Sequence, residues 1–178
     1  ISNPKTEAQL DQRARFAAAL YFLQPLTAFL RVGFKNYAVK MSAFNSAMSY
    51  NLNKALSGSY PEYFIDYPSA LVSRGKLPGA LNPGVQSTIP NQVDFTWQDN
   101  SLDSIASPTD QVLLVVLNST KQKAITLIGG SERSTGSQSI EVPSTFAGDE
   151  VHCYIGFQNA TQSILSNSVY VGPVVLFD

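Results

Sequence analysis

The chain has 178 residues, of which 44% are hydrophobic and 14% charged, and its net charge is −1. This composition excludes global disorder and allows one or two modest domains with a sizeable core. No apolar run approaches the ~20 residues of a membrane span, and Cys153, the single cysteine, excludes an intramolecular disulfide.

The charge is unevenly spread. Residues 1–76 carry nine bases against four acids, a net of +5, and residues 77–178 carry three bases against nine acids, a net of −6. Such a split serves either internal docking of the two halves or an external partner. Ile1 in place of an initiator Met raises the expectation of a removed leader, so the visible chain does not set a compartment.

The first predicted element is a helix. Pro4 precedes Thr6-Glu7-Ala8-Gln9, which fits a capping box. Leu10, Ala14, Ala17 and Tyr21 then recur on one helical face, with Phe16, Leu20 and Leu23 beside them. Asp11 and Arg15 form a favourable i,i+4 pair, and Pro25 ends the helix near Leu23. A second helix restarts with Pro25 in its first turn and runs to Val32, with Gly33 as its C′ residue. A third starts near Ser42 and presents Phe44, Ala47, Met48, Leu52 and Ala55 on one face; Gly58 and Pro61 close it.

From Ala70 onward, Gly, Pro, Ser and Asn break the chain into short strand-like runs. Seven are predicted: residues 70–76, 92–98, 111–118, 123–128, 138–142, 150–158 and 167–176. The run Val112 to Leu117 is continuously apolar and suits a buried strand. Val93, Phe95 and Trp97, and Val151, Cys153, Ile155 and Phe157, alternate as core faces, with Asp94, Thr96, His152 and Tyr154 outward. Pro173 marks the last run as an edge or a bulge, and Gly129-Gly130 reads as a hairpin turn. The resulting fold class is α+β: an N-terminal segment of two or three helices over 1–58, an aromatic junction over 59–69, and a seven-stranded immunoglobulin-like antiparallel β-sandwich over 70–178.

The carriers Phe95-Thr96-Trp97 and the Val151 to Phe157 alternation resemble a fibronectin type III or related immunoglobulin-like domain. The tyrosine such domains carry near the start of the sixth strand is absent, and Val151 stands about there. Asn3 to Gln9, Gly33 to Ala38, Ala70 to Gly75 and Ser166 to Tyr170 resemble, over nearly the whole chain, an uncharacterised bacterial family filed as a domain of unknown function. That resemblance implies no functional residue. The opening motif is also similar to those of some prophage-encoded proteins.

No phosphate-binding glycine loop, Gly-x-Ser-x-Gly or His-Glu-x-x-His pattern is present. His152 and Cys153 are the one pair resembling a base and nucleophile, yet adjacent strand residues point to opposite faces. The expectation is no enzyme, no metal and no cofactor, with Cys153 a core residue and His152 a surface one. Tyr60, Tyr63, Phe64 and Tyr67 read first as packing at the helix–sandwich junction and second as a stacking platform. Arg31, Lys35, Tyr37 and Lys40, with Tyr60 and Tyr63, form the candidate interaction surface. The expected function is a non-catalytic interaction or structural role with a protein partner, through sandwich loops or the helical segment. Nucleic acid bound by the basic helical half is the less favoured alternative, and an enzyme of unrecognised type ranks third.

Overall fold

The computed structural model describes residues 6–178; Asn3, Pro4 and Lys5 of the opening motif lie outside the described residues. Helix α1, Glu7–Leu23, starts at the predicted capping box. The Gln9 amide donates to Thr6 Oγ1 at 3.3 Å, and the Thr6 amide donates to Gln9 Oε1 at 3.1 Å. Pro25 sits in a single 3-10 turn, Gln24–Leu26, which passes straight into α2, Thr27–Gly33. Helix α3, Ala43–Lys54, is capped by Ser42 Oγ, which accepts from the Asn45 amide.

The buried face of α1 differs from the predicted one. Leu10, Phe16 and Tyr21 are exposed, and burial begins at Ala19, Phe22 and Leu23. The C-terminal part of α1 is buried against the core, while its first turns meet the β-hairpin that follows through Tyr63, Asp11 and Arg15, so the face is chosen by what packs there rather than by the local pattern. Gly33 is not a left-handed cap. It ends α2 against the backbone of Val72, where a Cβ would stand 2.2 Å from the Val72 carbonyl oxygen. Read across the 3-10 turn, Glu7 to Gly33 is a 27-residue helical stretch long and apolar enough to cross a membrane, which corrects the expectation that no segment approaches a span. Ala19, Phe22, Leu23, Leu26 and Leu30 account for much of that apolarity, and all are buried in the core.

The aromatic junction contains a hairpin absent from the prediction. Strands β1, Leu56–Ser59, and β2, Glu62–Ile65, pair antiparallel and lie along α1. The predicted first sandwich strand at 70–76 is displaced to β3, Leu81–Gln86. Residues 70–75 instead thread between the helices and the sheet, and side chains satisfy part of their backbone. Asn51 donates to the Leu71 carbonyl and accepts from the Leu71 amide, while Ser168 Oγ accepts from Val72 N.

Strands β4, Gln92–Gln98, and β7, Ser137–Glu141, complete a three-stranded sheet of order β3-β4-β7. The second sheet is β6-β5-β8-β9, built from β5, Gln111–Asn118, β6, Lys123–Glu132, β8, Glu150–Gln158, and β9, Val169–Val175. All pairs are antiparallel. The fourth sandwich strand, β6, joins β5 rather than the β3-β4-β7 sheet, unlike the constant-type immunoglobulin arrangement with four strands in the first sheet. Pro173 lies on the edge strand β9, beside an irregular register, as expected. Gly129-Gly130 is not a hairpin turn: both residues lie within β6, Gly129 has φ +78°, and the β5–β6 register shifts nearby.

The two sheets enclose Val93, Phe95, Trp97, Val112, Leu114, Val116, Cys153, Ile155 and Phe157. The other face of β5 carries Leu113, Val115 and Leu117, which with Tyr154 pack beneath Phe22, Leu23, Leu26 and Leu30 of the helical layer. The continuous apolar run of β5 is thus buried on both faces, and the chain stacks three layers: helices, four strands, three strands. Tyr154 points away from the sandwich interior as predicted, yet is buried under the helices, with its hydroxyl donating to the Tyr67 carbonyl at 2.8 Å.

Candidate interaction surface

Trp97 is the penultimate residue of β4, and its indole N–H donates to the Arg133 carbonyl at 2.8 Å. Arg133 follows β6 and is fully buried, as is Asp110 at the entrance to β5. Its Nε donates to Asp110 Oδ2 at 2.9 Å, its Nη1 to Asn100 Oδ1 at 2.7 Å and to the Gly79 carbonyl, and its Nη2 to the Pro78 carbonyl at 2.8 Å. The guanidinium lies over the Phe157 ring, 4.1 Å from its centroid. Asn100 and Asp110 are the two ends of the β4–β5 loop. One buried cation therefore clamps both ends of residues 99–110.

The loop is tied within as well. The Asp103 amide donates to the Asn100 carbonyl, the Ala106 amide to the Asp103 carbonyl, and the Ser107 amide to Asp110 Oδ2. Held this way, it presents Leu102 at 99% exposure and Ile105 at 54%. Its two exposed acids, Asp99 and Asp103, have no basic residue within the segment. A cleft of about 390 Å³ opens beside it, lined by Leu77, Pro78, Ala80, Asn100, Asp103 and Val169.

The β8–β9 loop, residues 159–168, leaves the sandwich at the same end, since Gln111 of β5 pairs with Gln158 of β8. The helical layer reaches that end too. Lys35 Nζ donates to the Gln162 carbonyl, and Asn36 Nδ2 donates to the Ser163 carbonyl at 3.0 Å. The turn that follows carries Val39, Lys40 and Met41, all exposed. The loop end of the molecule thus joins an acidic, apolar segment, an uncharged β8–β9 loop and a basic, apolar turn.

The predicted surface residues fall in two places. Lys35 and Lys40 sit at this end; Tyr37 lies under the Arg74 guanidinium, 4.3 Å from its ring centroid, and Arg31 is exposed on α2. Tyr63 belongs to the hairpin, where its hydroxyl donates to Asp11 and Arg15 covers its ring. That hydrogen bond, then the one from Arg15, holds the Asp11 carboxyl below the usual carboxylate range. Tyr60 is exposed at the hairpin tip. The structure does not bring Tyr60 and Tyr63 together with Lys35 and Lys40.

Of His152 and Cys153, the cysteine lies where expected and the histidine does not. Cys153 is buried in the sandwich core, and burial pushes its thiol up to about 12. His152 is not a surface residue: Tyr67 lies flat against its ring, centroids 3.6 Å apart, and Tyr170 Oη is 2.8 Å from Nδ1. Burial lowers the imidazole pKa, and Glu150, 3.9 Å from Nε2, partly opposes that. Among the described residues, no group of three or more His, Cys, Asp or Glu side chains is placed to hold a metal ion.

The sequence model of a Family of unknown function (DUF6266) matches residues 1–172. The chain belongs to that family. Comparison with curated proteins found no match. Among solved structures, the fn3 domain of human collagen alpha-1(XX) chain is similar at a TM-score of 0.41 and 11% identity, over 60% of this chain and 90% of that one. For this DUF6266 member the sandwich assignment rests on its own strand order and register. Sequence reading missed Arg133, Asp110, Asn100 and Leu102. The available signal was Leu102 and Ile105 standing in an Asp- and Ser-rich turn segment, where apolar residues have no periodic partner.

Proposed function

We propose that this chain is a non-catalytic interaction protein that engages a partner through the loop end of its sandwich. The observation carrying this reading is the loop 99–110, clamped at both ends by buried Arg133 while it displays Leu102 entirely to solvent. A leucine in that position adds nothing to the protein's own core. A loop already fixed in shape loses little freedom on binding, and apolar contact is the main gain when such a side chain enters a partner's pocket. Cys153 and His152 support the non-catalytic part, since they face opposite sides of β8 and each is engaged in packing.

Nucleic-acid binding by the basic helical half has less support. Arg15 is paired with Asp11, Arg74 is stacked on Tyr37 and Tyr50, and Lys35 is bonded to the β8–β9 loop. Retention on random-sequence DNA at about 150 mM salt, with a steep loss as salt rises, would promote it.

The test is site-specific photo-crosslinking in cells making the full chain, with the photoreactive residue at 102 and, as an exposed control on β6, at 126. A discrete product from 102 and none from 126 is expected. The absence of any product from 102 would contradict the proposal.

A further inference from the structure

The loop end carries two unlike patches, each bordering the β8–β9 loop. One is acidic and apolar: Asp99, Leu102, Asp103 and Ile105, beside the cleft of about 390 Å³. The other is basic and apolar: Val39, Lys40 and Met41, with Val39 at 67% exposure and Met41 at 48%. Between them the β8–β9 loop carries no charge from Asn159 to Ser168. Exposed apolar side chains gathered at one end mark an interaction surface.

A two-fold axis through such an end is self-complementary. In an isologous pair, whatever contact the first patch makes with the second is made twice. With the axis passing between the two patches, rotating one copy onto another end to end sets the basic turn of each against the acidic loop of the other. From this charge complementarity we infer that the partner is a second copy of this chain, held as an end-to-end two-fold dimer. Val39 and Met41 of each copy enter the cleft beside loop 99–110 of the other, and Lys40 faces Asp103. This rests on the reading of the loop end as the contact surface. The ion pairs Arg15–Asp11, Lys121–Asp149 and Arg133–Asp110 each close within their own half of the chain, and among the described residues none of the ion pairs engages Lys40.

The experiment is sedimentation of the purified full chain across micromolar to roughly millimolar concentrations, at low and high salt. The expected result is a monomer–dimer equilibrium that weakens with salt. Lys40→Glu alone and Asp103→Lys alone should each weaken it by about tenfold or more, through like charges set face to face. Mixing these two variants should restore a 1:1 dimer, because each reversed charge then meets an opposite one; restoration also shows that both variants are folded. Leu102→Asp should weaken dimerisation by about a hundredfold. A monomer throughout, or a dimer indifferent to the reversals and to their mixing, would overturn the inference. A cross-link from position 102 to some other protein, with the pure chain monomeric, would remove the dimer and keep the interaction reading. No cross-link at 102 together with a monomer would remove both.

Discussion

Arg133 Nε stands 2.9 Å from Asp110 Oδ2, and neither side chain reaches solvent. A buried pair of this kind adds little net stability relative to an apolar replacement, but losing one partner strands the other charge in the interior. Arg133→Ala should therefore destabilise the protein by roughly 3–5 kcal/mol, read as a lower denaturant midpoint. Arg133→Lys should not rescue it, because a single ammonium cannot reach Asp110, Asn100 and the Pro78 carbonyl as the planar fork does. Equal stability of the Lys variant and the parent would show that the clamp is not what holds the loop.

Trp97 is buried against Phe157, with ring centroids 5.6 Å apart. Trp97→Ala should cost on the order of 3–5 kcal/mol. The native fluorescence should be poorly quenched by a soluble quencher. Free quenching would place the indole outside the core.

Cys153 should resist thiol reagents in the native protein, since its thiol is pushed up to about 12 by burial. Modification should follow global unfolding and occur at the unfolding rate. Rapid modification of the folded chain would reopen the question of a nucleophile on β8.

His152 links stability to pH. Its folded pKa lies below the ordinary value of 6.5, with burial as the main cause. The unfolded chain then takes up a proton before the folded one, so this contribution is complete above about pH 6.5 and declines as pH falls toward the folded pKa. His152→Gln should flatten that segment of the stability profile, and NMR titration of the imidazole should give a midpoint below 6.5. A midpoint above the ordinary value would mean that Glu150 outweighs burial.

Six of the seven sandwich strands were legible, because their alternation or unbroken apolarity reports one- or two-faced burial directly. The first strand was not. Ala70, Leu71 and Val72 look like a strand because they are buried, yet their backbone partners include the side chains of Asn51 and Ser168, distant in sequence, while the real strand β3 contains Pro83 and no clear alternation. The start of α1 was legible from Thr6 and Gln9, a purely local device, whereas its buried face was set by the position of a sheet formed much later in the chain. The loop end was illegible for the same reason. Arg133 looks like any surface base until folding brings Asp110, Asn100 and Pro78 around it.

The central claim is that loop 99–110 is held rigid for the benefit of a contact and not of the fold. Leu102→Asp tests it most directly when chemical-denaturation stability and dimer sedimentation are read on the same full-length sample. The account predicts stability within about 0.5 kcal/mol of the parent, as for a surface site, together with loss of association. Unchanged association, or a loss of stability comparable to that of a core substitution, would contradict it.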